Sequence, residues 1–467
     1  MTPQPSIPVH SIGDSDYALP DRCPIASLPE ELWTLILDIV VDSFDHPSGS
    51  VARAKAPLIA SQVSRSWRLS ALENCHWWST IAISGPWRMD AIEAYLERSK
   101  ECLLEIVFIY NPYAAVKPTS EDYQRLLGFL FPHFPRCRVL HITKVFDYYS
   151  TIPFSFLKDI LNTYMPYLEE FTLEVDPLFY RQDLSQSGVR SLFSSAPHLR
   201  DLRLIGIAPK PPLVPLDART PNSVPLTSLH LSPLSHRLTF QEFKMMLRAC
   251  PSLTTLALYN HPTLSGSPTP CNMPSLESLY IIGGLSQLTL HLVAPKLKEL
   301  IIAPISAHDL DTLVFESYRN FGAPNPHRFP ALRVLTLGAI GSKAYQAVRD
   351  ASTCFPQVEC LVLPTLRDLS LPKVFADNCV VFPNLLDLAL TGIDERNYTE
   401  IQELQVFRAQ QRRPLRTVYV DSASLTFIKS EVLEGDLVSS DVVEGNLWEA
   451  QRRGLLRSEV QWQLNKS

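Results

Sequence analysis

The sequence predicts an α/β chain in which a small α-helical unit precedes a solenoid with parallel strands on one face and helices and loops on the other. Three observations carry this prediction. A phrase of proline, one variable residue, an apolar residue and two more apolar residues at strand spacing recurs eleven times. Helical apolar stripes fall between many of its copies. Helical periodicity also marks the stretch ahead of the first copy. A period of this kind belongs to an array in which each unit buries its apolar edge against its neighbours alone.

The clearest copies are Pro197-His198-Leu199 with Leu202 and Leu204, Pro251-Ser252-Leu253 with Leu256 and Leu258, and Pro330-Ala331-Leu332 with Leu335 and Leu337. Others start at Pro135, Pro166, Pro274, Pro295, Pro356 and Pro383, with shorter copies at Pro225 and Pro414. Proline suits the entry to a strand because it lacks a backbone donor. Glu93 to Ser99 read as a leading helix and Leu104 to Phe108 as the first strand. Phe154, Leu157, Leu161 and Tyr164 form a helical stripe. Thr239 to Glu242 is a capping box ahead of Phe243, Met246 and Leu247, and Thr399 to Gln402 is another ahead of Leu404 and Phe407. Strand, helix and parallel strand in succession follow the logic of a leucine-rich repeat. The units between Pro251 and Pro295 are too short for a full helix and should return by loops or an extra strand such as Leu288 to Leu292.

The chain divides on this reading into an unstructured segment 1–25, a helical unit 26–85, an array 86–428 and an acidic, then helical, tail 429–467. In the helical unit, Ser27-Leu28-Pro29-Glu30 is a capping box with proline in the first turn. Leu32, Leu35, Ile36, Ile39 and Val40 follow as one continuous stripe. The polar segment from Asp42 breaks the helix, and a second helix is expected from about Leu58 with Ile59, Val63 and Trp67 on one face. Trp77 and Trp78 close the unit, ahead of the apolar run Thr80 to Ile83.

These residues resemble the F-box, in the order Leu28, Pro29, Glu31, Leu32, Ile36, Leu37, Val63, Ser64, Trp67, Arg68 and Trp78. The loop of roughly Asp42 to Ala56 is longer than the pattern usually has, as in the fungal F-box group with repeats that this chain resembles. The resemblance implies a substrate-receptor subunit of an SCF-type ubiquitin ligase, docked on a Skp-family adaptor and through it on a cullin scaffold. It assigns adaptor contact to Leu28, Pro29, Glu31, Leu32, Ile36, Val63, Trp67 and Trp78. Physical reasoning agrees, because a helical trio of this size cannot bury its whole stripe alone. A repeat scaffold using the helical unit only as a cap is the alternative reading.

Composition narrows the function further. The net charge is −6 and charged residues make up 19% of the chain, so no basic field attracts nucleic acid or an anionic membrane. Nine scattered cysteines without a Cys-x-x-Cys suggest reduced thiols and a cytoplasmic or nuclear location. The N-terminus lacks the pattern of a signal peptide. No phosphate-binding glycine loop, dinucleotide fingerprint, His-Glu-x-x-His or nucleophile elbow is found, so no catalytic residue, metal or cofactor is expected. His230 and His236 stand without an acidic or cysteine neighbour. Binding is therefore assigned to the residues between the strand leucines, above all Arg203, His230, Tyr280, Ile301 and Tyr419, facing an unidentified protein client.

Overall fold

A computed structural model describes residues 29–42, 50–84, 88–109, 118–145, 154–175, 195–205, 225–231, 240–259, 270–282, 291–303, 329–338, 344–363, 381–390, 395–420 and 441–444. The chain separates between Glu73 and Asn74 into two compact units.

The first unit holds α1 (Glu30–Asp42), α2 (Ser50–Val63) and α3 (Arg65–Glu73). Helix α1 begins directly after Pro29, whose carbonyl accepts the Leu32 N–H at 3.1 Å. Ser27 and Leu28 of the expected capping box lie outside the described residues. Helix α2 starts at Ser50, well before the expected Leu58, so much of the supposed long loop is helix. Its buried positions Ala54, Pro57 and Ala60 form a stripe of small side chains at helical spacing. The break between α2 and α3 falls at Ser64. Its Oγ accepts the Trp67 N–H at 3.2 Å, and its carbonyl accepts the Arg68 N–H at 3.0 Å. This N-cap ends a helix that periodicity alone would have run through Trp67. Arg68 Nε then donates to the Ser61 carbonyl at 2.8 Å, satisfying an acceptor in the last turn of α2.

The second unit is built on strands β1 (Thr80–Ser84), β2 (Leu104–Ile109), β3 (Cys137–Val145), β4 (Glu170–Val175), β5 (Asp201–Ile205), β6 (Ser228–Leu231) and β7 (Thr255–Tyr259). They are followed by β8 (Cys271–Asn272), β9 (Ser278–Ile282), β10 (Leu292–Val293), β11 (Glu299–Ala303) and β12 (Val334–Leu337). The last are β13 (Cys360–Leu363), β14 (Asp387–Leu390), β15 (Thr417–Val420) and β16 (Asp441–Glu444). All but β8 and β10 form one 14-stranded sheet in chain order. Its strands pair in parallel throughout. Strands β8 and β10 pair separately, so the short middle units carry extra strand, and of the expected stretch Leu288 to Leu292 only Leu292 is strand while 288–290 lie outside the described residues.

Between strands lie α4 (Met89–Arg98), α5 (Ser120–Leu130), α6 (Phe154–Asn162), α7 (Phe240–Arg248), α8 (Ala344–Cys354) and α9 (Glu395–Gln410). Helix α5 was not anticipated. A reciprocal capping box starts it: Asp122 N–H donates to Thr119 Oγ1 at 3.2 Å, and Thr119 N–H donates to Asp122 Oδ2 at 2.8 Å. Helix α9 starts one turn ahead of the expected Thr399. Tyr164 falls beyond α6 and is exposed instead of joining the stripe.

The register explains the repeat. Ile81, Ile106, Leu140, Phe171, Leu202, Leu229, Leu256, Leu279, Leu300, Leu335, Leu361, Leu388 and Val418 are successive Cα partners in one row, and all are buried. The proline does not enter the strand. It occupies the first corner of a β-turn in which the preceding carbonyl accepts the N–H of the apolar residue two places after the proline. Met165 to Leu168, Ala196 to Leu199, Cys250 to Leu253, Phe329 to Leu332 and Phe382 to Leu385 all close this way at 3.1–3.2 Å. Proline presets the backbone angle that this corner needs. The next two N–H groups both donate to one carbonyl of the unit before. Arg200 and Asp201 share Glu169 O, Thr227 and Ser228 share Arg200 O, and the pattern runs on to Arg416 and Thr417 on Leu386 O.

Two boundaries change. Thr80–Ser84, read as the end of the helical unit, is the first strand of the sheet, and the division falls at Glu73 instead of residue 85. In the tail, Asp441–Glu444 pairs with β15 as one further strand.

Candidate functional site

The first unit exposes an unusual amount of apolar side chain. Along α1, Leu32 (48% exposed), Leu35, Ile36 (49%), Ile39 and Val40 all face solvent. The i, i+3, i+4, i+7 spacing that predicted a core-facing stripe places these five on one side of the helix, and in this unit that side is open. Among the described side chains of the helix, Val41 is the buried one. Leu58, Ile59 and Val63 of α2 and Leu69 and Leu72 of α3 are exposed as well. Scattered exposed leucines are ordinary, but a contiguous helical stripe of them marks an interaction face.

All but one of the predicted contact residues can be placed. Pro29, Glu31, Leu32, Ile36 and Val63 are exposed and Trp67 is half-buried, while Leu28 lies outside the described residues. Trp78 is a correction. It belongs to the second unit, is 1% exposed, and packs edge-on against Tyr95 at 4.9 Å with the Arg98 guanidinium 4.4 Å from its ring centre. Its work is packing at the start of the sheet, because no partner atom can reach it. Sequence reasoning did not single out Leu58, Leu69 or Leu72 as exposed. Their only signal is apolar identity at helical spacing, which a core uses equally.

The expected client row is a second correction. His141, Thr172, Arg203, His230, Ala257, Tyr280, Ile301, Thr336, Val362, Ala389 and Tyr419 do form a single row of Cα partners between the two leucine rows. Yet Arg203, His230, Tyr280 (1% exposed) and Ile301 are buried, and Tyr419 is half-buried. Parallel strands stand about 4.8 Å apart, so side chains in one row cover each other's flanks. A parallel sheet with both faces covered carries near-continuous apolar strands, which is what β9 and β11 show.

Polar members of this row spend their hydrogen bonds internally. Tyr280 Oη donates to Glu299 Oε2 at 2.6 Å, and burial together with that carboxylate pushes the phenol's pKa well up. Arg203 is paired with Asp201 at 3.2 and 3.3 Å. Burial works against its charge, and Asp201 and Glu170 more than offset that, so its pKa is raised. His230 lies 3.1 Å from Ser228 Oγ and 3.3 Å from Tyr259 Oη. His141 Nε2 is 2.9 Å from Glu170 Oε1, while its Nδ1 and the neighbouring Thr172 Oγ1 are buried without a partner.

A row of residues at the entries to the strands is open in the second unit. Arg138, Arg200, Lys298 and Arg333 are exposed there, in line with the partly exposed Glu169 and Glu359. Lys298 to Glu277 at 2.8 Å and Arg333 to Glu359 at 3.3 Å link adjacent units across it. Such exposed pairs contribute little stability, so this edge is chemically free to meet another surface. No helix among the described residues is long and apolar enough to cross a membrane. No protein-family model matches the chain, and no curated protein matches it.

Proposed function

We propose that the chain is the substrate-receptor subunit of an SCF-type ubiquitin ligase, with an F-box in residues 29–73 docking a Skp-family adaptor and a leucine-rich-repeat solenoid binding a protein client. One observation carries the reading: of the residues that match the F-box pattern, Pro29 just ahead of α1 is exposed, and Leu32 and Ile36 lie on an exposed apolar face of that helix. An amphipathic helix presenting i, i+3, i+4 anchors is a recurrent way to fill a partner's groove. The repeated strands supply a scaffold and no reactive constellation is assigned to them, so the chain would recognise and deliver while other subunits transfer ubiquitin. The client surface falls on the charged edge around Arg138, Glu169, Arg200, Lys298, Arg333 and Glu359, because the strand row behind it is buried.

Coexpression of the full chain with a Skp-family adaptor and a cullin tests this. The expected result is a stable ternary complex, and a chain that purifies free of both subunits would refute the proposal. Deletion of residues 1–73 separates it from the capping alternative. A docking module leaves a folded array behind, whereas removal of a cap unfolds the units next to it.

A further inference from the structure

The second unit contains a three-donor cluster that the proposed function does not use. Cys75 and His76 stand at the start of the 3-10 turn Cys75–Trp78, and Cys102 lies in the short connection from α4 to β2. Their donor atoms all lie within 4.8 Å of one another, and the two Sγ atoms are 2.9 Å apart. Seven cysteines are described, and the structure brings this pair of thiols into contact. Cys137 and Cys250 are buried in the repeat and Cys360 is partly buried, burial pushes each thiol up to about 12, and they behave as small core fillers.

We propose that Cys75, His76 and Cys102 form a binding site for a thiophilic divalent metal ion, with zinc as its expected occupant. Two sulfurs and one imidazole are the donor set that zinc takes with three protein ligands and one open position. A tetrahedral ion with Zn–S bonds of about 2.3 Å holds its sulfurs about 3.8 Å apart. The pair here opens by about 0.9 Å to reach that separation, well within a small side-chain rotation. A disulfide needs about 0.9 Å of approach instead and has no use for the imidazole. The third donor decides between them in favour of the metal.

The backbone that carries the donors is held in place. Asn74 Oδ1 accepts the His76 N–H at 3.2 Å, and the His76 carbonyl accepts both the N–H and the hydroxyl of Ser79. Buried Trp77 and Trp78 fix the turn from beneath. On the other side, Arg136 donates to the Cys102 carbonyl at 2.8 Å and to the Leu96 carbonyl and Ser99 Oγ at 3.0 Å. These outer contacts orient ligands much as second-layer hydrogen bonds do in metal proteins. Cys75 and Cys102 are partly accessible and His76 is exposed, which gives an ion an entry path.

The test uses the reduced, chelator-treated full chain and cobalt(II) as a spectroscopic probe. One equivalent should produce thiolate-to-cobalt charge transfer and the strong visible bands of a tetrahedral site, and zinc should displace it. Cys75→Ser and Cys102→Ser should each lose affinity by more than about 100-fold, the upper end of what outer-layer partners alone contribute. His76→Ala, an exposed position whose loss leaves the fold intact, should weaken binding and change the visible bands. Absence of the bands, or bands unchanged in all three variants, would overturn the proposal. So would a Cys75–Cys102 disulfide, found by mass spectrometry in protein alkylated at lysis, that blocks loading.

Discussion

Replacing both Leu32 and Ile36 by aspartate separates an interface from a core, because the two roles predict opposite outcomes. Each side chain is about half exposed in the chain (48% and 49%). The free protein should therefore lose little, roughly 1 kcal/mol in total, mostly from the poorer helix propensity of aspartate. In a complex the remaining half of each side chain leaves water. Full burial of a leucine or isoleucine is worth about 1.5–3 kcal/mol, so half contributes about 1 kcal/mol per residue. A carboxylate carried into that interface unpaired costs about 2 kcal/mol more. The double variant should then bind the adaptor about 6 kcal/mol more weakly, about four orders of magnitude in Kd. The alanine variants should lose about fivefold each by the same scale. Calorimetric titration of purified adaptor gives the first quantity and urea unfolding of the free chain gives the second. Unchanged affinity in the double aspartate variant refutes the docking assignment, and a loss of several kcal/mol in the free chain shows that the stripe is core.

Other positions test the second unit. Arg408 is buried, and its guanidinium donates to the carbonyls of Val381, Leu385 and Arg413 at 3.3, 2.9 and 3.1 Å. Arg408→Met strands three acceptors and should cost about 3–5 kcal/mol in urea unfolding, with lysine restoring part of it. Pro251 is exposed at its turn corner, so Pro251→Ala should cost only about 0.5–1 kcal/mol by loosening the unfolded chain, read as a small shift in the urea midpoint. Burial raises the Cys137, Cys250 and Cys360 thiols from 9.0 to about 12, and the Tyr95 phenol from 10.0 to about 12. The unfolded chain releases these protons first. The stability they carry is complete below about pH 9 and is lost as pH rises toward about 12. Urea midpoints across that window should fall, and Cys250→Ala should flatten the decline.

The spine of the sheet was legible because its code is local. Leu199, Leu202 and Leu204 keep one spacing to one proline, and every copy but the two shorter ones at Pro225 and Pro414 repeats it. The turn geometry was hidden one step further in, since proline at a strand entry and proline at a turn corner differ by a single carbonyl bond. Solvent access to Tyr280 and Ile301 was not legible, because alternation says which face a residue takes and nothing about what flanks it. Exposure on α1 could be inferred only from the small size of the unit, as Leu32 and Ile36 read identically in a core. The end of α2 at Ser64 had a signal, a serine able to cap, that the longer stripe from Ile59 to Trp67 outweighed. Cys75 and Cys102 are brought together by the first turn of the array across 27 positions, and no spacing rule covers that.

Hydrogen exchange on the intact chain, alone and with a Skp-family adaptor, addresses the docking claim most directly. Amides of 30–42 and of the α2–α3 junction around Ser64 should gain protection when the adaptor binds, while strands β4 to β15 keep their rates. Protection confined to the strands, or no change anywhere at saturating adaptor, contradicts it.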